Sequence, residues 1–341
     1  MRDLFEDTMR AILADQLSAE QVISAEGGEF PVQLWASLEE NGVPLALVAE
    51  DAGGAGGTLS DVCGLVIACG EHCAPLPIIE TMLANYLLAK HGQAPLTGVV
   101  SFSASDGLLI NKGSVSGALT NVPWGRNCDY VLAAVGAELL VLSAAAARDC
   151  QHISNTAGEP RDTLNFKEAK PLLSIPMAAG ESNKVLLLCG ALVRSAQITG
   201  AIMRVLMMAT DYANERVQFG KPIARFQAVQ HQMALLAEQA SMAKASCEVA
   251  FALSEQSFHE DSIAAAKICS SDAAGVAAGV SHGVHGAIGF THEYPLHIAT
   301  RRLWSWRSEF GSSSYWSCLL GERVCVAGAD NFWPRLVAGS F

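Results

Sequence analysis

Arg216-Val-Gln-Phe-Gly-Lys-Pro-Ile-Ala-Arg-Phe-Gln227, running on into Ala-Val-Gln230-His, lies between two long apolar stretches of helical periodicity. The first runs from Val185 to Tyr212 and the second starts directly after the junction. The segment therefore joins two helices. It places an arginine, an aromatic ring, a Gly-Lys-Pro turn and a glutamine within a dozen residues. A turn alone needs only the glycine and the proline. A permanent cation beside a helix start also suits a pyrophosphate. Taken alone, Arg216 is equally an exposed helix-end residue in a salt bridge.

Working outward, the chain reads helical, then β, then helical. Residues 3–24 form an amphipathic helical pattern, with Leu4, Phe5, Met9, Ile12 and Leu13 on one stripe. Further helices are expected at 32–41, 60–73 and 78–91, the last two divided by Pro75 and Pro77. From about Leu96 the pattern shortens. Gly98–Ser103, Leu108–Ile110, Tyr130–Ala134 and Leu139–Ser143 are strand-like runs separated by Gly, Asn and Asp. Helical periodicity returns from about Lys184, with Ala-rich runs at 232–256 and 262–281. This order predicts a mainly α fold with a small β domain, divided into residues 1–95, 96–178 and 179–341.

Composition narrows the classes. Half of the 341 residues are hydrophobic and 16% are charged, which predicts a large buried subunit interface. The formal net charge of -12 speaks against nucleic acid and anionic membrane surfaces as partners. Arg194 and Arg204 interrupt the best membrane-span candidate, and the N-terminus has no apolar signal core. The ten cysteines are scattered, without Cys-x-x-Cys or zinc spacing, and read as reduced thiols of a cytoplasmic protein. The Gly-Gly-Ala-Gly-Gly run at 53–57 has no following Lys-Ser/Thr and reads as a turn, not a phosphate loop. His282, His285, His292 and His297 cluster, but no Cys or carboxylate shares their spacing, so no metal is expected.

Three blocks resemble the acyl-CoA dehydrogenase family. Leu34–Pro44 with the glycine run is similar to its early helix and loop. Arg216–Gln227 resembles the family signature R-x-x-F-G-x-x-I-x-x-x-Q. His285-Gly-Ala-Ile-Gly-Phe-Thr-His-Glu-Tyr-Pro resembles its H-G-G-x-G-F-T-x-E-x-P segment. The resemblance implies an α-helical N-terminal domain, a middle β domain and a C-terminal four-helix bundle. It also implies FAD as cofactor, an acyl-CoA as substrate and an electron-transfer flavoprotein as acceptor. Arg216, Phe219 and Gln227 would meet the FAD diphosphate and adenosine across a subunit interface. The Gly286-Ala287-Ile288-Gly289 turn would let backbone approach the cofactor. Trp124 would either lie against the flavin or belong to the β-domain core.

The departures are as informative. The family's T-E-P-x-x-G-S-D loop is replaced by Ser101-Phe-Ser-Ala-Ser-Asp-Gly. The reaction also needs a carboxylate raised in pKa by burial to take an α-proton. Many members carry it in a Y-E-G-T segment, whose equivalent here is Phe310, beside Glu309. Others carry it on the helix that opens the C-terminal domain, where this chain has Leu188–Val193 and no acid. Glu309 is thus the expected base. The alternatives are an ion pair with Arg301, Arg302 or Arg307, or a subunit that does no chemistry. The length and the short β domain resemble the small subunits of bacterial heteromeric acyl-CoA dehydrogenases, several of which act on steroid side chains. A homo-oligomer or a heterotetramer with a second acyl-CoA dehydrogenase chain is expected.

Overall fold

The computed structural model describes residues 1–177 and 184–338. The N-terminal layer is helical: α1 (Arg2–Gln16), α2 (Ala19–Glu26), α3 (Val32–Glu40), α4 (Leu59–Glu71) and α5 (Ile78–Lys90). The single helix expected over 3–24 is two. Ser18 accepts from the Gln21 amide while its own N–H donates to the Gln21 side chain, a capping box that starts a new helix. The glycine run folds as a tight turn packed on its own chain: a Cβ on Gly54 would collide with the Val48 and Leu45 carbonyls.

The middle layer holds two sheets. One orders β1 (Val100–Ser103), β4 (Tyr130–Val135), β5 (Glu138–Ser143) and β8 (Leu173–Pro176), with β1 and β4 parallel. The other is antiparallel, β2 (Leu108–Asn111), β3 (Ser114–Pro123), β7 (Arg161–Ala169) and β6 (Asp149–Gln151). Strands β3 and β7 escaped the sequence reading because polar and charged residues, among them Thr120, Asn121, Arg161 and Asp162, interrupt their apolar alternation. The β3–β7 register slips between Leu119 and Val122, a bulge that turns Thr120 and Asn121 out of the ladder.

The C-terminal layer is a helical bundle of α6 (Val185–Glu215), α7 (Gln227–Leu253), α8 (Glu260–His285) and α10 (Ser313–Ala327). The short hairpin β9 (Val217–Gln218) and β10 (Lys221–Pro222) lies between α6 and α7. Helix α9 (Leu296–Trp306) crosses beside α6 and α8, and α11 (Ala329–Ala338) follows. The fold is thus mainly α around a small β region, as expected. The boundary expected at 95/96 falls between α5 and β1; the one at 178/179 lies outside the described residues.

At 31 residues, α6 is long and apolar enough to span a membrane, but 94% of its most apolar window is buried inside the protein. It is the core helix. It crosses α4 at backbone distance, because a Cβ on Gly200 would strike the Ile67 carbonyl and one on Gly70 the Gln197 carbonyl. Gly200→Ala must therefore part the two helices. A loss of roughly 1–3 kcal/mol is expected from such overpacking. Denaturant unfolding of the variant checks it; an unchanged midpoint would contradict the close crossing.

Candidate active site

A cavity of about 610 Å³ opens where the β layer meets the turn between α9 and α10. The β3 bulge supplies Thr120 and Asn121, and Ser103 and Ser105 stand beside them. Ser103 Oγ donates to the Thr120 carbonyl at 2.7 Å, and the Thr120 amide donates to Ser105 Oγ at 3.1 Å. This serine-rich segment, which replaces the family's longer loop, thus pins the bulge that shapes the wall. Opposite stand Asn155, Arg161, Glu309 and Phe310.

Glu309 reaches the cavity, but it is clasped. The Arg161 guanidinium donates to both of its oxygens, at 2.9 and 3.1 Å. Arg194 Nη2 lies 3.0 Å from Glu309 Oε2 and donates to Glu80 Oε1 at 3.3 Å. Asn155 Nδ2 donates to Glu309 Oε1 at 2.9 Å. Burial pushes the Glu309 carboxyl up, but the two arginines outweigh it and hold it below the usual carboxylate range. A proton-abstracting base needs the opposite shift. The partners expected from sequence, Arg301, Arg302 and Arg307, are engaged elsewhere. Arg301 and Arg302 hold Glu26 of α2, at 2.6 and 2.7 Å, and the Arg307 guanidinium lies over the Trp304 ring.

The clasp belongs to a longer ladder. Arg161 also binds Glu159 at 3.0 Å, and Trp306 Nε1 donates to the same Glu159 oxygen at 2.7 Å. Arg161 and Arg302 keep the Glu159 carboxyl low against its burial, at about 2. At the other end Glu80, on α5, is held mainly by the one long contact to Arg194, and burial raises its pKa. Sequence reading gave Glu80, Arg161 and Arg194 no site role because no motif marks them: Glu80 and Arg194 lie in apolar helical stretches, and Arg161 lies in the irregular Glu159-Pro-Arg161-Asp162 run. The only sequence signal was a charge where the helical or strand pattern called for an apolar side chain.

Phe310 holds a left-handed backbone, φ 52°, next to Gly311 at φ 91°. Its ring packs on Gly190 of α6 so closely that a Cβ on Gly190 would lie inside it. It also stands 5.7 Å from the Phe102 ring and faces the Arg194 guanidinium. Phe310, where the family resemblance would put one carboxylate, therefore meets the Leu188–Val193 stretch, within which it would put the other. What occupies their meeting point is a phenyl ring on a glycine.

The Arg216 block lies at an end of the bundle. Arg216 leaves α6 with extended backbone, Phe219 sits at the hairpin tip with φ 52° and 91% exposure, and Gln227 starts α7 with no side-chain cap. Lys221 and Arg225, which sequence reading passed over, make it a basic patch in an acidic protein. The second glycine block comes to the same end: the Tyr212 ring, one turn before Arg216, stacks on His285 at 4.6 Å, beside Gly286. Gly286 bends the chain at φ 65°, Ala287 continues the turn, and Gly289 is buried against His285 and Leu296. An uncapped helix start, several cations, an exposed ring and a small-residue turn fit a dinucleotide diphosphate.

Trp124 is buried and meets the Phe30 ring edge-on at 6.1 Å. Its backbone N–H donates to the Pro160 carbonyl at 3.1 Å, next to Arg161, and its side chain is not on the cavity wall. Of the four histidines, His282 Nε2 pairs with Thr300, His285 pairs with the Ser281 carbonyl and Tyr294, and His292 packs against His297, while His282 Nδ1 and His297 Nε2 are buried without a hydrogen-bond partner among the described residues.

Comparison with known proteins agrees with this architecture. Sequence models of the acyl-CoA dehydrogenase N-terminal domain and C-terminal domain match residues 2–96 and 185–324. The acyl-CoA dehydrogenase IpdE2 of Mycobacterium tuberculosis is 29% identical over 307 residues, covering 88% of this chain and 90% of that protein. The ChsE4-ChsE5 complex from Mycobacterium tuberculosis superposes with a TM-score of 0.88 at 19% identity, covering 96% of this chain and 98% of that one. A variant of the Tcur3481-Tcur3483 steroid ACAD gives a TM-score of 0.83 at 22% identity, covering 94% and 96%.

Arg161→Met tests the clasp. It leaves two buried carboxylates without their main counter-charge, and roughly 3–5 kcal/mol should be lost. Thermal unfolding reads this; a variant as stable as the parent would show that the ladder is not formed in solution.

Proposed function

The chain belongs to the acyl-CoA dehydrogenase family of oxidoreductases, and on that premise we propose that it works as one subunit of a heteromeric, FAD-dependent acyl-CoA dehydrogenase. In this reading it lends its Arg216 end to a cofactor shared across the subunit interface, and the partner chain supplies the proton-abstracting carboxylate. The observation that carries it is Phe310 seated on Gly190 beside an arginine-clasped Glu309. Among the described residues, the cavity is lined by no carboxylate with a raised pKa.

Bound FAD would take the hydride that leaves the acyl β-carbon. Arg216, Lys221 and Arg225, with the uncapped start of α7, would hold its diphosphate, and Phe219 would lie beside the adenine. Arg supplies two parallel donors that keep their charge at any working pH, so the anion stays fixed in orientation. The exposure of Phe219 supports the cross-interface placement, since a large apolar ring this open gains by burial in an assembly. The electron acceptor is then an electron-transfer flavoprotein. A CoA ester of a steroid-derived or other bulky acid is the substrate class suggested by the steroid enzyme among the similar folds. A cytoplasmic location suits the free, mostly buried thiols.

The second reading, a self-sufficient dehydrogenase with Glu309 as base, is favoured by one fact: Glu309 is the carboxylate on the cavity wall. Two measurements divide them. The chain expressed alone should be colourless and should gain a flavin spectrum when co-purified with its partner. Alone and yellow, with bleaching by an acyl-CoA, it would overturn the heteromer. In the assembled complex, Glu309→Gln should keep flavin reduction within about tenfold of the parent, and a loss of 100-fold or more, on the order of a general base's contribution, would make Glu309 the base. Arg216→Ala should strip FAD from the complex; full flavin content would remove the diphosphate role.

A further inference from the structure

Lys267, on α8, is fully buried and plays no part in the cofactor or substrate reading. Its Nζ donates to the carbonyls of Trp306 and Arg307, at 3.2 and 2.9 Å, and to Ser271 Oγ at 3.1 Å. Ser271 Oγ in turn donates to the Arg307 carbonyl at 3.2 Å. The two hydrogens of a neutral amine suffice for the two carbonyls, and the third of an ammonium meets Ser271. Both carbonyls lie at the C-terminal end of α9, where a helix leaves its carbonyls without intrahelical partners.

The turn that follows, 308–311, carries Glu309 and Phe310 into the cavity. It has little regular structure of its own to hold it, and its backbone turns left-handed at Phe310 and Gly311. Arg161 and Arg194 grip it from the side through Glu309, and Trp316 Nε1 donates to the Phe310 carbonyl. Lys267, with Ser271 beside it on α8, grips its root from beneath. We propose that Lys267 is a positioning residue of the cavity: by holding the end of α9 it fixes where Glu309 and Phe310 enter, and its charge state sets how readily the turn opens.

The direction follows from linkage. Burial lowers the Lys267 pKa from its ordinary 10.5 to about 7, against the attraction of Glu309 and with the repulsion of Arg194 and Arg307, the other charged groups that face it. When the turn lifts, the amine reaches water and binds its proton more tightly. Protonation therefore favours the open turn. The closed turn gains stability as pH rises from about 7 toward 10.5. This rests on the cavity being the ligand site only for its consequence; the position of the turn can be measured with no ligand.

Hydrogen exchange of the full chain, followed by mass spectrometry over peptides spanning 303–316 and corrected for intrinsic rates, reads it. Between pH 7 and pH 9 the parent's protection there should rise by about tenfold or more. Lys267→Met should lose protection in this segment and show a flat pH profile, while peptides of α1 and β5 stay as in the parent. Lys267→Gln should recover part of the protection through its amide donors and remain flat. A flat parent profile overturns the proposal even if neither variant folds. So does a Met variant whose 303–316 protection matches the parent, or one that loosens everywhere equally. Exchange that behaves as expected in a protein that never acquires flavin would uphold Lys267 and sink the functional reading alone.

Discussion

Everything near the cavity depends on two guanidiniums sharing one carboxylate. Arg161 comes from strand β7, Arg194 from the core helix α6, and Glu309 from the turn between α9 and α10, so the clasp ties the β layer to the bundle at one buried point. Charges this deep are tolerated only when each is answered. Here the answer is spread along the ladder: Glu80 behind Arg194, Glu159 beside Arg161, and Arg302 with Glu26 beyond. Four carboxylates, Glu80, Glu309, Glu159 and Glu26, thus meet four arginines, Arg194, Arg161, Arg302 and Arg301.

That arrangement decides the chemistry available. A carboxylate becomes a useful base when burial is not compensated, and it becomes an anchor when it is. Glu309 has the burial and also two cations, which hold its carboxyl below the usual range. Glu80 has the burial and one distant cation, so its carboxyl is raised, but it lies behind Arg194 and off the cavity wall. Phe310 closes the remaining space by stacking over Gly190. The cavity wall of this chain thus mixes polar residues with Ile153, Trp304 and Phe310, while the cationic end of the bundle leaves the Phe219 ring exposed.

Much of this was legible in the sequence. The switch from helical to alternating periodicity near Leu96, and back near Lys184, located the three layers, because burying one face of a helix or strand imposes its period on the chain. The split at Ser18 was missed because a capping box overrides a continuous apolar stripe. Strands β3 and β7 were missed because they line a polar cavity, so their alternation is broken by Thr120, Asn121, Arg161 and Asp162.

What the sequence determined by itself is the family, the order of layers and the Arg216–Gln227 block. These rest on local patterns: a turn between helices needs its glycine, and an anion site at a helix start needs its cation nearby in the chain. What only the tertiary structure decided is the surroundings of Glu309. Its environment is made by residues 115 and 148 positions away in sequence, Arg194 and Arg161. A carboxylate's pKa is set by whatever lies within a few ångströms, and chain distance carries no information about that.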